Sequence, residues 1–257
     1  AGALAELRKF VDDDDDGKAR LKQISGTFAR ATFDELGWDE APGESDDDRE
    51  RRTAALGLML YSEDSAVLME AKQRFDQTSP DNLPAEIRPL IINANVRHFE
   101  TPEMIDRLFT IYQNTPSADL QVDIALSLTS TKNPATTKRI LTAIKDADSI
   151  RPQDASRWFA YLIRTRENRH IAWNWLKDNW TWVKDTFGGD KSYDTFIRYA
   201  ASALLTRNEL NDFTKFTTPL RIEPALARTI DLGIREVAGR VALIERDQAA
   251  VIDALNK

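Results

Sequence analysis

The chain has 257 residues, with 35 Lys and Arg against 42 Asp and Glu, a formal charge of −7, two histidines and no cysteine. That balance argues against nucleic acid as a partner, because phosphate binding needs a basic surface. The missing thiols exclude disulfides, thiolate metal sites and a cysteine nucleophile. With 42% hydrophobic and 30% charged residues, the composition is that of a soluble globular protein, one large domain or two small ones.

The N-terminus, Ala1-Gly-Ala-Leu4, lacks Met and has neither the charged nor the apolar region of a signal peptide. It reads as a piece cut from a longer chain, with tag removal as the plainer alternative. No apolar run approaches the ~20 residues of a membrane helix, so no membrane partner is expected. The absence of cysteine suits a reducing or an oxidising compartment; the expected setting is cytoplasmic. Asp12 to Asp16 looks like a calcium loop at first glance. It lacks the glycine and closing glutamate at the required spacing and reads as a solvated, poorly ordered acidic loop.

Helical periodicity then runs through the chain. Leu21, Ile24, Phe28, Ala31 and Leu36 share a face that Gly37 ends. Asp46 to Asp48 suit the start of a helix that closes at Leu56, Met59 and Leu60. Val67, Leu68, Ala71 and Phe75 follow, stopped by Ser79-Pro80. Ile87, Leu90, Ile91 and Ala94 come next, with Pro84 suited to a first turn. Pro89 inside that stretch predicts either a kink or the true helix start. Thr101-Pro102, Ser117 and Asn133-Pro134 open three further helices. Segments of about a dozen residues with short polar links read as antiparallel helix pairs. The expected fold is all-α: a superhelical stack in the style of HEAT or armadillo repeats, closed by a long helix near residues 224 to 255.

Trp173, Leu176, Trp180, Val183 and Phe187 step along one helix face, and Trp175 and Trp182 lie on another. Such a helix is buried between neighbours, and Trp180 is expected to lie deep in the core. An aromatic ligand groove is the alternative. Gly188-Gly189, followed by Asp190 and Lys191, reads as a helix C-cap.

Chemistry is bounded by what is missing. His98 and His170 each lack a histidine four residues on, so the H-E-x-x-H zinc motif is absent. Arg151, Arg157, Arg164, Arg166, Arg169 and His170 cluster in an otherwise acidic chain. They form either a carboxylate-holding patch or a set of solvated residues beside Asp154 and Glu167. Arg157 and Arg164 are seven apart and share a helix face.

Several segments carry a resemblance. They are Gln153-Asp154, followed by Arg169-His-Ile-Ala-Trp-Asn-Trp-Leu-Lys-Asp-Asn-Trp180; Leu36-Gly-Trp-Asp-Glu-Ala-Pro-Gly-Glu-Ser45; Glu86-Ile-Arg88; and Leu108 with Tyr112. Ala125-Leu126 with Thr131-Lys-Asn-Pro134, Phe213 to Phe216, and Pro224-Ala-Leu226 through Ile244-Glu-Arg-Asp247 to Leu255 continue it, although Thr217 departs from the pattern. In order and spacing these segments resemble the C-terminal helical domain, the ERAP1-like C-terminal domain, of the aminopeptidase N family of zinc metallopeptidases. The G-x-M-E-N substrate motif of the family's catalytic domain is absent. The resemblance implies one such domain over residues 1–257, begun inside the family domain, with residues 1–18 unassigned. It implies a role without chemistry: covering the active-site cavity of a parent zinc aminopeptidase and helping to position peptide. Zinc is expected in the parent catalytic domain and no cofactor in this chain. The implied partners are that catalytic domain and the peptide substrate. Arg157, Arg164, Arg166 and Arg169 are the candidate peptide-binding residues, and no catalytic or metal residue is expected. A stand-alone helical-repeat scaffold for a protein partner is the alternative.

Overall fold

The computed structural model describes residues 2–189 and 191–257. Ala1 and Asp190, the latter beside the glycine pair, lie outside the described residues. Among the described residues there are fourteen α-helices, three short 3-10 turns and no strand. The chain divides into two compact units.

The first unit takes the residues up to Met104, then Ser117–Ser127 and Asp247–Lys257. It contains α1 (Gly2–Leu7), α2 (Asp15–Leu36), α3 (Asp46–Tyr61), α4 (Ser65–Gln77), α5 (Arg88–Phe99) and most of α7 (Ala118–Leu128). The acidic run at its start is not the loose loop expected. Asp14 Oδ1 accepts the N–H of Gly17 at 3.1 Å, and Asp15 and Asp16 fill the first turn of α2. Carboxylates are favoured there because unpaired N–H groups and the helix dipole present positive charge. Gly37 ends α2 with φ +61°, a left-handed conformation that glycine adopts without steric cost. Ser45 caps α3 by accepting the Asp48 N–H at 3.1 Å. Pro89 marks a true start rather than a kink. It sits in the first turn of α5, where a missing N–H costs no helical bond, while Pro84 stands in the preceding turn.

The unit's interior holds Leu21, Leu56, Met59, Ile91 and Ile92. The two ends of the chain also meet within it. Val11, Leu21 and Leu255 pack together with Leu4, Leu7, Ile24, Val251 and Ile252. Arg20 Nε donates to the Leu255 carbonyl at 2.8 Å, and Gln248 Nε2 to that of Phe10 at 3.0 Å.

The second unit takes Ile105–Pro116 and Leu128–Arg246. It contains most of α6 (Pro102–Asn114), then α8 (Pro134–Ala143), α9 (Pro152–Arg164), α10 (Arg166–Asp178), α11 (Trp180–Phe187), α12 (Asp194–Ala203) and α13 (Arg207–Thr217). The greater part of α14 (Pro224–Leu255) belongs here as well. Helix starts follow their caps. Asn133 accepts the Ala135 N–H at 3.0 Å, and Thr206 with Glu209 forms a reciprocal capping box. α9 packs on both α10 and α12, burying Trp158, Phe159, Leu162, Ile163, Phe196 and Ile197. Gly233 lets α14 approach closely, since a Cβ there would lie 3.1 Å from both Ala201 Cβ and the Phe213 ring.

The tryptophan-rich stretch is two helices, not one. Asn179, at φ −112° and ψ 18°, breaks the chain between α10 and α11. Trp173, Leu176 and Val183 are buried as expected. Trp180 is only half-buried, which corrects the deep-core expectation. It opens the new helix, and its ring meets the edges of Tyr193 and Phe216. Gly188 follows α11 in a right-handed conformation, φ −72°, so it ends the helix without a left-handed cap.

Candidate functional site

The arginine-rich segment starts at Ile150-Arg-Pro-Gln-Asp. Arg151 precedes a proline and is therefore extended, at φ −57° and ψ 138°. Pro152 then opens α9, where its fixed φ suits a first turn. The apolar residues of α9 turn its opposite face inward, leaving Arg157 and Arg164 exposed on the other side. Asp154 is the exception to that division. It is 7% exposed, and a buried carboxylate needs a partner. Arg151 supplies it, donating from Nε and Nη2 to Asp154 Oδ2 at 3.0 and 2.9 Å. Arg157 Nη2 lies 3.7 Å from the other oxygen, Oδ1.

An aromatic layer belongs to the same cluster. Trp158 stacks on Phe109 with centroids 5.8 Å apart. Its Nε1 donates to Tyr112 Oη at 3.3 Å. Burial pushes the Tyr112 phenol above its ordinary pKa, with the Asp154 charge adding to the rise, so the hydroxyl stays neutral. A recess of about 280 Å³ opens over Phe109, beside an Arg139–Asp106 ion pair at 2.6 Å.

The expected site residues occupy different settings. Arg157 is exposed at the middle of α9. Arg164 is exposed at its end, with its guanidinium 5.4 Å from the Tyr199 ring centroid. Arg166 is exposed at the start of α10, and Arg169 is buried. Arg151, left out of the candidate set, is the arginine that shares a carboxylate with Arg157. Its sequence signal was its place in the arginine cluster beside Asp154.

Asn168 was missed altogether. It is 1% exposed, accepts from Thr137 Oγ1 at 2.6 Å, and donates to the carbonyls of Thr129 and Thr131 at 3.0 Å each.

The histidines do not build a metal centre. His98 Nε2 lies 4.0 Å from a Glu63 oxygen, and His170 Nε2 lies 2.9 Å from Asn174 Nδ2. Among the described residues no three His, Asp or Glu side chains converge as ligands. A catalytic zinc needs three such ligands plus an open position, and these residues do not fit one. No helix among the described residues is long and apolar enough to cross a membrane.

Residues 1–238 match the family model described as the ERAP1-like C-terminal domain. The chain is 33% identical over 256 residues to aminopeptidase N of Lactobacillus helveticus, covering 98% of this chain and 30% of that protein. It is 31% identical over 255 residues to aminopeptidase N of Lactococcus lactis subsp. cremoris, again covering 98% of this chain and 30% of the relative. A plant relative, aminopeptidase M1 of Arabidopsis thaliana, is 27% identical over 208 residues, covering 79% of this chain and 23% of that protein. The chain thus spans about 30% of the length of the bacterial relatives.

Proposed function

The chain belongs to the ERAP1-like C-terminal domain family, and from that membership we propose that it is the non-catalytic C-terminal domain of a zinc aminopeptidase. In this reading it covers the active-site cavity of the parent enzyme and helps to bind and position peptide. The catalytic domain of the same parent chain is its partner and holds the zinc. The setting is cytoplasmic. The observation that carries the reading is the near-complete match of this chain to about 30% of the length of several aminopeptidases N.

A peptide held by its N-terminus at the zinc would extend its C-terminal carboxylate toward this domain. Arg157, Arg164 and Arg166 are the surface candidates to receive it. Arg169, also proposed from the sequence, is buried and is the least direct of the four. An exposed pair contributes up to about 1 kcal/mol, and a shielded charge-assisted bond about 1.5–3 kcal/mol.

Arg157→Ala combined with Arg164→Ala in the full-length enzyme should therefore raise KM for longer peptides by roughly three- to tenfold. Turnover of short aminoacyl reporters should stay unchanged. Equal effects at both substrate lengths, or none at either, would make these arginines ordinary surface residues. The alternative, a free-standing scaffold, requires a reading frame with no upstream H-E-x-x-H and no binding to a catalytic domain.

A further inference from the structure

We propose that residues 247–257, the end of α14, act as a bolt that holds the N-terminal segment 2–11 against the first unit, and that bolt and segment release together while the rest of the unit stays folded. The matched family domain stops at residue 238, so the bolt lies beyond it. The segment does not hold itself. Its helix α1 has six residues and no buried side chain, and a helix that short is not stable alone. Among residues 2–11 only Phe10 and Val11 are buried.

What holds it is the end of α14, together with α2. Leu255 closes a small apolar cluster with Val11 and Leu21, and Leu4, Leu7 and Val251 pack around them. Within 247–257 only Leu255 is buried, while Ala249, Ala250, Asp253 and Ala254 face solvent. Three polar ties flank the cluster. Gln248 Nε2 donates to the Phe10 carbonyl at 3.0 Å. Arg20 Nε, from α2, donates to the Leu255 carbonyl at 2.8 Å. That carbonyl stands in the last turn of a helix, where it has no helical donor and where a cation meets the negative end of the dipole. Arg8 lies over Tyr61, with its guanidinium 3.7 Å from the ring centroid. The fully buried interior at Leu56, Met59 and Ile91 lies outside this cluster. A contact this small opens at a fraction of the free energy that unfolds a core. Bolt and segment open together, because Phe10 and Val11 lose Gln248 and Leu255 in the same step.

The test is hydrogen exchange, read by mass spectrometry on the 257-residue chain and its variants. In the wild type, amides of residues 7–11 and 251–256 should exchange at similar rates, at least about tenfold faster than those of residues 56–60 in α3. Gln248→Ala removes one hydrogen bond and should speed exchange in both segments by about three- to tenfold. Leu255→Ala should speed it by about thirtyfold or more. Both should leave α3 to α5 unchanged, and Ala250→Gln, on the solvent side, should change nothing. Trypsin should cut after Arg8 or Lys9 sooner in the first two variants. A chain ending at Arg246 should lose protection at 7–11 and keep it in α3.

Unchanged exchange at 7–11 in Leu255→Ala, or in the shortened chain, would show that the N-terminal segment holds itself, and the bolt falls. Exchange that rises as much in α3 to α5 as at 7–11 would make the end of α14 an ordinary part of the interior, and local release falls. If the shortened chain does not fold, Gln248→Ala decides. A rise confined to the two segments sustains the bolt; a rise spread over the whole unit, or none, overturns it.

Discussion

Trp158→Ala should lower the stability of the chain by about 3–5 kcal/mol, the cost of removing a fully buried aromatic ring. Trp158 is 1% exposed. Its ring lies flat on Phe109 and meets the edge of Tyr112 with centroids 5.1 Å apart. The substitution opens a cavity between α6 and α9 and removes the donor to Tyr112 Oη. At roughly 2–4 °C per kcal/mol for a chain of this size, the melting temperature should fall by about 6–20 °C. Trp158→Phe, which keeps much of the stack, should cost less. Trp180→Ala should also cost less, because Trp180 is only half-buried. An unchanged thermal midpoint for Trp158→Ala would mean that the α6–α9 packing described here is wrong.

Asn168→Leu should have a comparable effect for a different reason. Leucine has a similar volume, so little packing is lost, but a buried network loses its centre. Two carbonyls, those of Thr129 and Thr131, lose the amide that donates to them, and the Thr137 hydroxyl loses an acceptor. Each buried polar group deprived of its partner costs about 1–3 kcal/mol. Thr137 keeps a second acceptor, the Asn133 carbonyl at 3.1 Å, so the total should lie near 2–6 kcal/mol. Thr137→Val, which removes only one of these bonds, should cost less. Faster proteolysis in the segment 129–133 should accompany the loss for Asn168→Leu. Wild-type urea and thermal midpoints would show that Asn168 does not anchor that segment.

Helix boundaries were legible because caps are local chemistry. Gly37, Asp46 to Asp48, Asn133-Pro134 and Pro224 carry their signals within a few residues of the ends they mark. The family resemblance was legible for the same reason, since its segments are short and ordered. The break at Asn179 was not. The apolar spacing of Trp173, Leu176, Trp180 and Val183 runs on across it, so periodicity alone describes one helix. Burial of Trp180 depends on how closely Phe216 and Tyr193 cover it, which is a tertiary matter. The Asp12 to Asp16 run misled because composition reports charge and not the orphan N–H groups that charge can satisfy. Asn168 binds carbonyls 37 and 39 residues away in sequence, and no local pattern announces that. Among the arginines, type and spacing suggested a patch, but only the fold separates buried Arg169 from exposed Arg157 and joins Arg151 to it through Asp154.

The central claim is that this chain serves an aminopeptidase without holding its chemistry. The most direct measurement is made on the 257-residue chain itself, after dialysis against a chelator and re-exposure to zinc. Metal content and hydrolysis of aminoacyl chromogenic amides are read on the same sample, with the full-length parent enzyme alongside. The account predicts no stoichiometric zinc and no hydrolysis from the chain, against both from the parent. Tightly held zinc in the chain, with aminopeptidase activity that follows the metal, would contradict it.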